Sequence, residues 1–350
     1  MTDSSPHACA RNRDVPPVPA GGGAFRAYSR LAPTPSGYLH QGNAVNFILT
    51  WMLVRHSGGR LNLRIDDADA GRCRPEYVED IFRQLEWLGL DWDHGPAGPD
   101  DFFARHSQLL RLDRYRLALE KLELRGIIFY CTCTRRQIKN KAGANHLYPG
   151  TCRSCQRPPA AAHTTRIMVA RQWTFAAASR EFELLPGKTP PAAEDIAEPL
   201  ISVQPAAEMG DFILWRRDEL PAYQLASLVD DLDEQINLLV RGRDLLPSSA
   251  AQYFLAEQLG PAGQTFLKAK FLHHPLLTDT TGRKLAKSDR ALSLAAMRRA
   301  GATPGDLYRL TARFLGLAAD DIDSPADLLA AAADLPTPGQ GRGLPVFTAG

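Results

Sequence analysis

The chain has 350 residues, 44% hydrophobic and 23% charged, with a formal net charge of +2 at pH 7. That length allows two domains or one large domain with an insertion. The near-neutral balance excludes binding to a polyanion through the overall field, and no apolar run approaches the ~18–20 residues of a membrane span. A cytoplasmic location is the expectation.

Residues 1–23 are rich in Pro, Gly, Ser and Arg and lack the apolar stretch of a secretory signal, so a disordered tail is expected there. From Phe25 to Leu31 apolar and polar positions roughly alternate, which predicts a strand. A turn through Pro33, Pro35 and Gly37 then leads into "NAVNFILTWMLVRHSGG", a buried helix ended by Gly58-Gly59. In "RLNLRIDDAD", Leu61, Leu63 and Ile65 alternate with Asn62 and Arg64 before a cluster of acids. Together these elements predict the opening of a Rossmann-like sheet.

Tyr77, Val78, Ile81, Phe82, Leu85 and Leu88 share one face of a helix expected over Glu76–Leu88, and Leu109–Leu124 repeats that period with Arg, Lys and Glu outward. Both read as cover helices. Residues 156–205 break into Pro- and Ala-rich stretches, after which "GDFILWRRDELPAYQLASLVDDLDEQINLLVRGRDLL" resumes strand, turn, helix and strand, so the middle reads as an insertion. The last sixty residues hold Ala-rich helical pieces and a Pro/Gly tail.

Cys131, Cys133, Cys152 and Cys155 fall within one short window, whereas Cys9 and Cys73 stand apart. Clustering of this kind favours metal over disulfide in a reducing compartment. Coordination chemistry alone would complete a tetrahedral zinc site with Cys155, while His146 and His163 nearby read as surface residues.

A helix N-terminus after a Gly-bearing turn offers free N–H groups and the positive end of the dipole to a phosphate, and His40 with Gly42 lies at that point. Taken alone, such a triplet more often marks a capping or core histidine. Lys284 and Lys287 sit three apart in the turn-rich "TDTTGRKLAKSD", where both ammonium groups could reach one anion.

The pairing of "HQGN" with a downstream "KLAKS" resembles the class I aminoacyl-tRNA synthetases, in which the two motifs close around ATP. The stretches "RLAPTPSGYLHQGN", "LRIDDAD", "RQLEWLGLDWD", "YCTCTRRQI", "YPGTC", "AYQLASLVDD", "LVRGRDLL" and "KLAKS" are similar to the glutamyl-tRNA synthetase line. More narrowly, they resemble its truncated branch without an anticodon-binding domain, the glutamyl-queuosine tRNA(Asp) synthetases. Coverage runs from Phe25 to Leu294 in the expected order. Two features point to the branch: the chain stops soon after KLAKS, and Cys-x-Cys is followed by Tyr-x-x-x-Cys.

The resemblance implies an α/β fold: a class I Rossmann-like parallel sheet, an inserted zinc-containing subdomain like the acceptor-binding one, and a short helical C-terminal extension. The expected division is a tail at 1–23, a catalytic domain over 24–130 and 206–294, the insertion at 131–205, and the extension and tail at 295–350. The implied activity is ATP-dependent formation of glutamyl-adenylate and transfer of L-glutamate to queuosine in the anticodon of tRNA(Asp). ATP with Mg²⁺ and one structural Zn²⁺ are the implied cofactors, and a monomer acting on tRNA without a membrane is expected. Alternatives are a synthetase-like fragment that charges a tRNA 3′ end, or a non-catalytic RNA-binding module.

By residue, the resemblance assigns His40, Lys284 and Lys287 to catalysis. It assigns ATP to Pro33, His40, Gly42, Asn43 and Lys287, and glutamate to Arg30, Leu31, Ala32, Pro33, Thr34, Asp66, Tyr223 and Arg241. The zinc ligands it implies are Cys131, Cys133, Cys152 and, against Cys155, the Tyr148 phenolate. Without the family frame, Arg30, Asp66, Tyr223 and Arg241 would each be read as part of a structural ion pair. Asp66 stands where the family has Glu, one methylene shorter, and Ala286 replaces the usual Ser between the lysines.

Overall fold

The computed structural model describes residues 25–142, 147–171, 175–177, 201–274, 293–333 and 335. In chain order its strands are β1 (Tyr28–Leu31), β2 (Arg60–Leu63), β3 (Ile128–Cys131), β4 (Thr164–Ile167), β5 (Phe175–Ala177), β6 (Ile201–Val203), β7 (Ile213–Trp215), β8 (Leu238–Gly242) and β9 (Lys270–His274). The helices used below are α1 (Gln41–His56), α2 (Pro75–Leu88), α3 (Leu112–Leu124), α4 (Arg135–Lys141), α5 (Tyr223–Asp233), α6 (Leu246–Gln258), α7 (Leu294–Arg299), α8 (Pro304–Phe314) and α9 (Pro325–Ala331). None of the described helices is long and apolar enough to cross a membrane.

β1 and β2 pair in parallel through the α1 crossover, and β8 and β9 pair in parallel through α6. The Asn237 N–H donates to the Tyr28 carbonyl at 3.0 Å and the Ser29 hydroxyl to the Leu238 carbonyl at 2.8 Å, so β1 lies beside β8. The resulting order, β2–β1–β8–β9, is the expected Rossmann-like sheet. Between α1 and β2 the chain turns at Gly58, whose φ is +61°. At Gly59 a Cβ would sit 2.0 Å from the Ala27 carbonyl oxygen, so only glycine lets the two segments approach.

Strand alternation sends side chains to opposite faces. Leu61, Leu63, Leu238, Val240 and Leu272 pack on one side with α1, α2 and the C-terminal helices. Leu239 belongs to the core on the other side, with α3, α5 and α6. Arg30, Arg64 and Arg241 follow that second phase, which places three guanidiniums under α5 and α6.

Three expectations are refined. Residues 108–111 form a 3-10 turn instead of the first turn of a helix, and in α3 the buried residues are Tyr115, Ala118 and Leu122. Leu110, Leu117 and Leu124 are exposed instead of covering the sheet, because the Tyr115 hydroxyl is drawn to the buried Asp230 at 2.9 Å and that bond sets the helix phase. The antiparallel sheet β3–β4–β7 spans both expected edges of the insertion, 131 and 205, since strands at 128–131 and 213–215 flank the one at 164–167. The segment after 294 shares the main core: Leu307, Tyr308, Ala312, Leu315 and Leu328 are buried with α1 and α2, and the Tyr308 hydroxyl donates to the Leu88 carbonyl at 2.5 Å.

Candidate active site

The loop from β1 reaches α1 at the C-terminal edge of the sheet, where open α/β sheets hold ligands. His40 is the N-cap of α1: its Nδ1 accepts from the Asn43 N–H at 3.3 Å, and the Asn43 Oδ1 accepts from the His40 N–H at 3.1 Å. This reciprocal capping box orients the imidazole across the helix end. Gly42 is part of the arrangement, because a Cβ there would lie 3.1 Å from both Cε1 and Nδ1 of His40. With no acid in the first turn and Arg55 and His56 in the last, the charges leave the N-terminal end of the dipole available to an anion.

Two contacts bring distant segments to this point. His40 bridges to Ser293, with the Leu294 N–H donating to the Leu39 carbonyl at 2.8 Å, and Asn46 Nδ2 lies 2.9 Å from His274 Nε2. Lys284 and Lys287 lie between these anchors, outside the described residues.

A second constellation lies under α5. Asp231 Oδ1 accepts from Arg30 Nε at 2.8 Å and from Arg64 Nη1 at 2.7 Å, and Asp231 Oδ2 is 3.5 Å from Arg241 Nη2. Burial raises the pKa of this carboxyl, but Arg30, Arg64 and Arg241 together outweigh burial and hold it below the usual carboxylate range. Asp66 is occupied by Arg64 at 2.7 and 3.4 Å, and its neighbour Asp67 by the Ser107 hydroxyl at 2.5 Å and the Gln108 N–H at 2.7 Å. Asp230 accepts from Gln108 Nε2, the Tyr115 hydroxyl and Arg111.

Arg241 differs from the other two. Its Nη1 donates to the Ser249 hydroxyl at 2.9 Å, yet the buried Nε and Nη2 have no hydrogen-bond partner. Those two atoms form the side edge of the guanidinium, the fork that grips a carboxylate with two parallel bonds. Burial, with Arg30 and Arg64 nearby, lowers the pKa of this guanidinium against the opposite pull of Tyr223 and Asp231. Tyr223, at the first position of α5, is 40% exposed beside it.

The structure thus gathers Arg30, Asp66 and Arg241 under α5, and Tyr223 at the rim. It gathers His40, Gly42 and Asn43 at the head of α1, with Ala32, Pro33 and Thr34 in the connecting loop. Leu31 sends its side chain into the core and its carbonyl to the Arg64 N–H. Arg30, Asp66 and Arg241 all face an opposite charge, but the Nε–Nη2 edge of Arg241 makes no hydrogen bond, its Nη2 standing 3.5 Å from Asp231. Arg64, Gln108, Asp230, Asp231 and Ser249 were not singled out from the sequence. The signal for Arg64 was present: it alternates with core leucines in a strand whose two faces are both covered, so its charge required a buried partner.

In the insertion, Cys131 ends β3, and its sulfur lies with those of Cys133 and Cys152 within 4.8 Å of one another; the Cys133–Cys152 pair is at 3.5 Å. Zinc–thiolate bonds of ~2.3 Å in a tetrahedron set sulfurs ~3.8 Å apart, so the three thiols fit that ion. Tyr148 points its hydroxyl into the same cluster, accepting from the Cys152 N–H at 2.9 Å, whereas the Cys155 thiol turns away to the Arg157 carbonyl at 3.4 Å. Burial and the Cys152 thiol push Cys133 up to about 11, and burial with the Cys131 contact raises the Tyr148 phenol far above its ordinary value.

The model for class I tRNA synthetases (E and Q), catalytic domain, matches residues 27–324. A glutamyl-Q tRNA(Asp) synthetase from Nitratidesulfovibrio vulgaris is 36% identical over 88% of this chain and 93% of its own length. One from Symbiobacterium thermophilum is 38% identical over 85% and 87%. A glutamate–tRNA ligase from Myxococcus xanthus is 33% identical over 74% of this chain and 51% of that protein. Among solved structures, the glutamate–tRNA synthetase of Elizabethkingia anophelis superposes with a TM-score of 0.69 over 93% of this chain and 68% of the other; at 22% identity, that likeness speaks for the fold. The matched span, the identities and the geometry under α5 lead to one statement of kinship: the chain belongs to the class I tRNA synthetases of the E and Q type, in the group of the glutamyl-Q tRNA(Asp) synthetases.

Proposed function

We propose that this ligase activates L-glutamate with ATP and transfers it to queuosine in the anticodon of tRNA(Asp). The observation that carries the reading is the open Nε–Nη2 edge of buried Arg241, a fork suited to one carboxylate of an acidic amino acid. Support for the acceptor comes from the names of the similar proteins. Activation is attack of the glutamate α-carboxylate on the α-phosphate of ATP, a step that depends on positioning and charge neutralisation more than on a protein nucleophile.

His40, the α1 N-terminus and the close approach at Gly42 and Asn43 would hold the nucleotide, with Pro33 beside them and Mg²⁺ accompanying the phosphates. Lys284 and Lys287 are the proposed cations for the crowded phosphate. Arg241, Tyr223 and Arg30 would line the glutamate pocket with the backbone of residues 31–34, and Asp66 acts there through Arg64. One Zn²⁺ would be held by Cys131, Cys133, Cys152 and Tyr148, where it supplies a structural crosslink.

The decisive experiment is glutamate transfer to tRNA(Asp) with and without queuosine, next to tRNA(Glu). Transfer only to the queuosine-containing tRNA(Asp), lost after periodate cleavage of the queuosine cis-diol, is expected. Charging of tRNA(Glu) with no transfer to tRNA(Asp) would replace this reading with 3′-end charging, and silence in glutamate-dependent ATP–pyrophosphate exchange would favour a non-catalytic module.

A further inference from the structure

Arg241 of β8 and His273 of β9 are register partners in the parallel ladder, so their side chains leave the same face of the sheet side by side. Ser249, on the first half of α6, lies between them: its Oγ is 2.9 Å from Arg241 Nη1 and 2.8 Å from His273 Nε2. All three are buried, at 3%, 0% and 4% exposure. A guanidinium only donates, so Ser249 Oγ accepts from Nη1, and the same hydroxyl shares a hydrogen bond with the imidazole at Nε2.

Burial beside a guanidinium keeps the imidazole neutral. A second cation beside a buried guanidinium is opposed by burial and by repulsion, and burial followed by Arg241 and His274 lowers His273 to about 3. Phe271 lies parallel to the ring, at 7° between planes and 6.3 Å between centroids. The alternative partner for Arg241 is also near: Asp231 Oδ2 lies 3.5 Å from Nη2 and itself lacks a hydrogen bond. Closing that gap would turn the open fork onto the protein's own carboxylate.

We propose that Ser249 and neutral His273 are positioning residues that hold Arg241 by Nη1, keeping its Nε–Nη2 edge open for the carboxylate of the amino-acid substrate and off Asp231. The inference rests on Arg241 gripping glutamate, as set out above. Neither residue touches substrate. Their removal lets Arg241 collapse onto Asp231, which weakens glutamate binding and leaves the nucleotide site alone.

The test is KM for glutamate and for ATP in pyrophosphate exchange, with thermal melting of each variant. Ser249→Ala and His273→Phe should raise KM for glutamate roughly tenfold or more, the scale of one lost hydrogen bond to a charged group, with KM for ATP within twofold. Ser249→Thr and His273→Gln, which keep the hydroxyl and an acceptor, should restore most of the affinity. If Arg241→Ala abolishes glutamate affinity while Ser249→Ala and His273→Phe leave it within twofold, the positioning role is wrong and the assignment of Arg241 stands. Unchanged glutamate affinity in Arg241→Ala overturns both, and equal rises in the two KM values reduce Ser249 and His273 to parts of the core.

Discussion

Asp231→Asn is the sharpest test of the charge cluster under α5. The substitution is nearly isosteric and removes one negative charge that faces Arg30 at 2.8 Å, Arg64 at 2.7 Å and Arg241 at 3.5 Å. Arg64 also faces Asp66 at 2.7 Å, Glu234 at 3.6 Å and Asp230 at 3.8 Å and so keeps carboxylates in the variant, whereas Asp231 is the carboxylate that faces Arg30 and Arg241 among the described residues. The Asp231 side chain has no exposure, so water cannot take up the difference. Breaking a buried pair from one side typically costs about 3–5 kcal/mol. Urea unfolding reads this directly: with a slope of about 3 kcal/mol/M for a protein of this size, the midpoint should fall by roughly 1 M or more. Asp113→Asn is the control, because its 99% exposed carboxylate stands 3.7 Å from Arg116 and contributes little. A midpoint for Asp231→Asn within 0.2 M of the parent, roughly 0.6 kcal/mol at that slope, would refute the claim that this carboxylate offsets the buried guanidiniums around it.

Gly42→Ala should separate stability from function, since alanine favours a helix over glycine by about 0.5–1 kcal/mol while its Cβ meets the His40 imidazole at 3.1 Å. Exchange should slow roughly tenfold or more with no loss of melting temperature; unchanged exchange would remove His40 from the nucleotide site. Glu234 is raised by burial from 4.5 to about 7, so the folded chain keeps a proton that the unfolded chain releases, and stability falls as pH rises from about 4.5 to 7. Glu234→Gln should flatten that slope and stabilise the protein at pH 8 by at most about 3 kcal/mol, measured by urea unfolding at both pH values. In the insertion, zinc analysis of purified protein should find one ion per chain, lost in Cys133→Ser and reduced in Tyr148→Phe but retained in Cys155→Ser; loss in Cys155→Ser with retention in Tyr148→Phe would exchange the two ligands.

The sheet was legible because its evidence is local. Leu61, Leu63 and Ile65 alternate along one short run, and the helix that follows β1 is apolar through most of its length, so strand, helix and strand could be placed from neighbouring residues. The phase of α3 was not legible, because it depends on Asp230, more than a hundred residues away, which draws Tyr115 inward and turns Leu117 and Leu124 to solvent. For the same reason the sequence did not single out the acids of "LVDDLDE", although Asp230 and Asp231 are among the most buried residues of α5. Their partners Arg30 and Arg64 come from β1 and from the residue after β2. A charge reads as exposed until the opposite charge that accompanies it inward is known.

His40 shows how a weak motif acquires meaning. As a cap it satisfies the N–H of Asn43, so the simpler reading of the triplet holds in the structure. The same capping fixes the ring at the positive end of α1, and the chain returns twice to that point, at His274 against Asn46 and at Ser293 against His40. The segment joining these returns carries Lys284 and Lys287. The described residues on either side of the late motif, His274 and Ser293, thus both contact α1, and this shared anchor is the physical reason the early and late motifs carry information together.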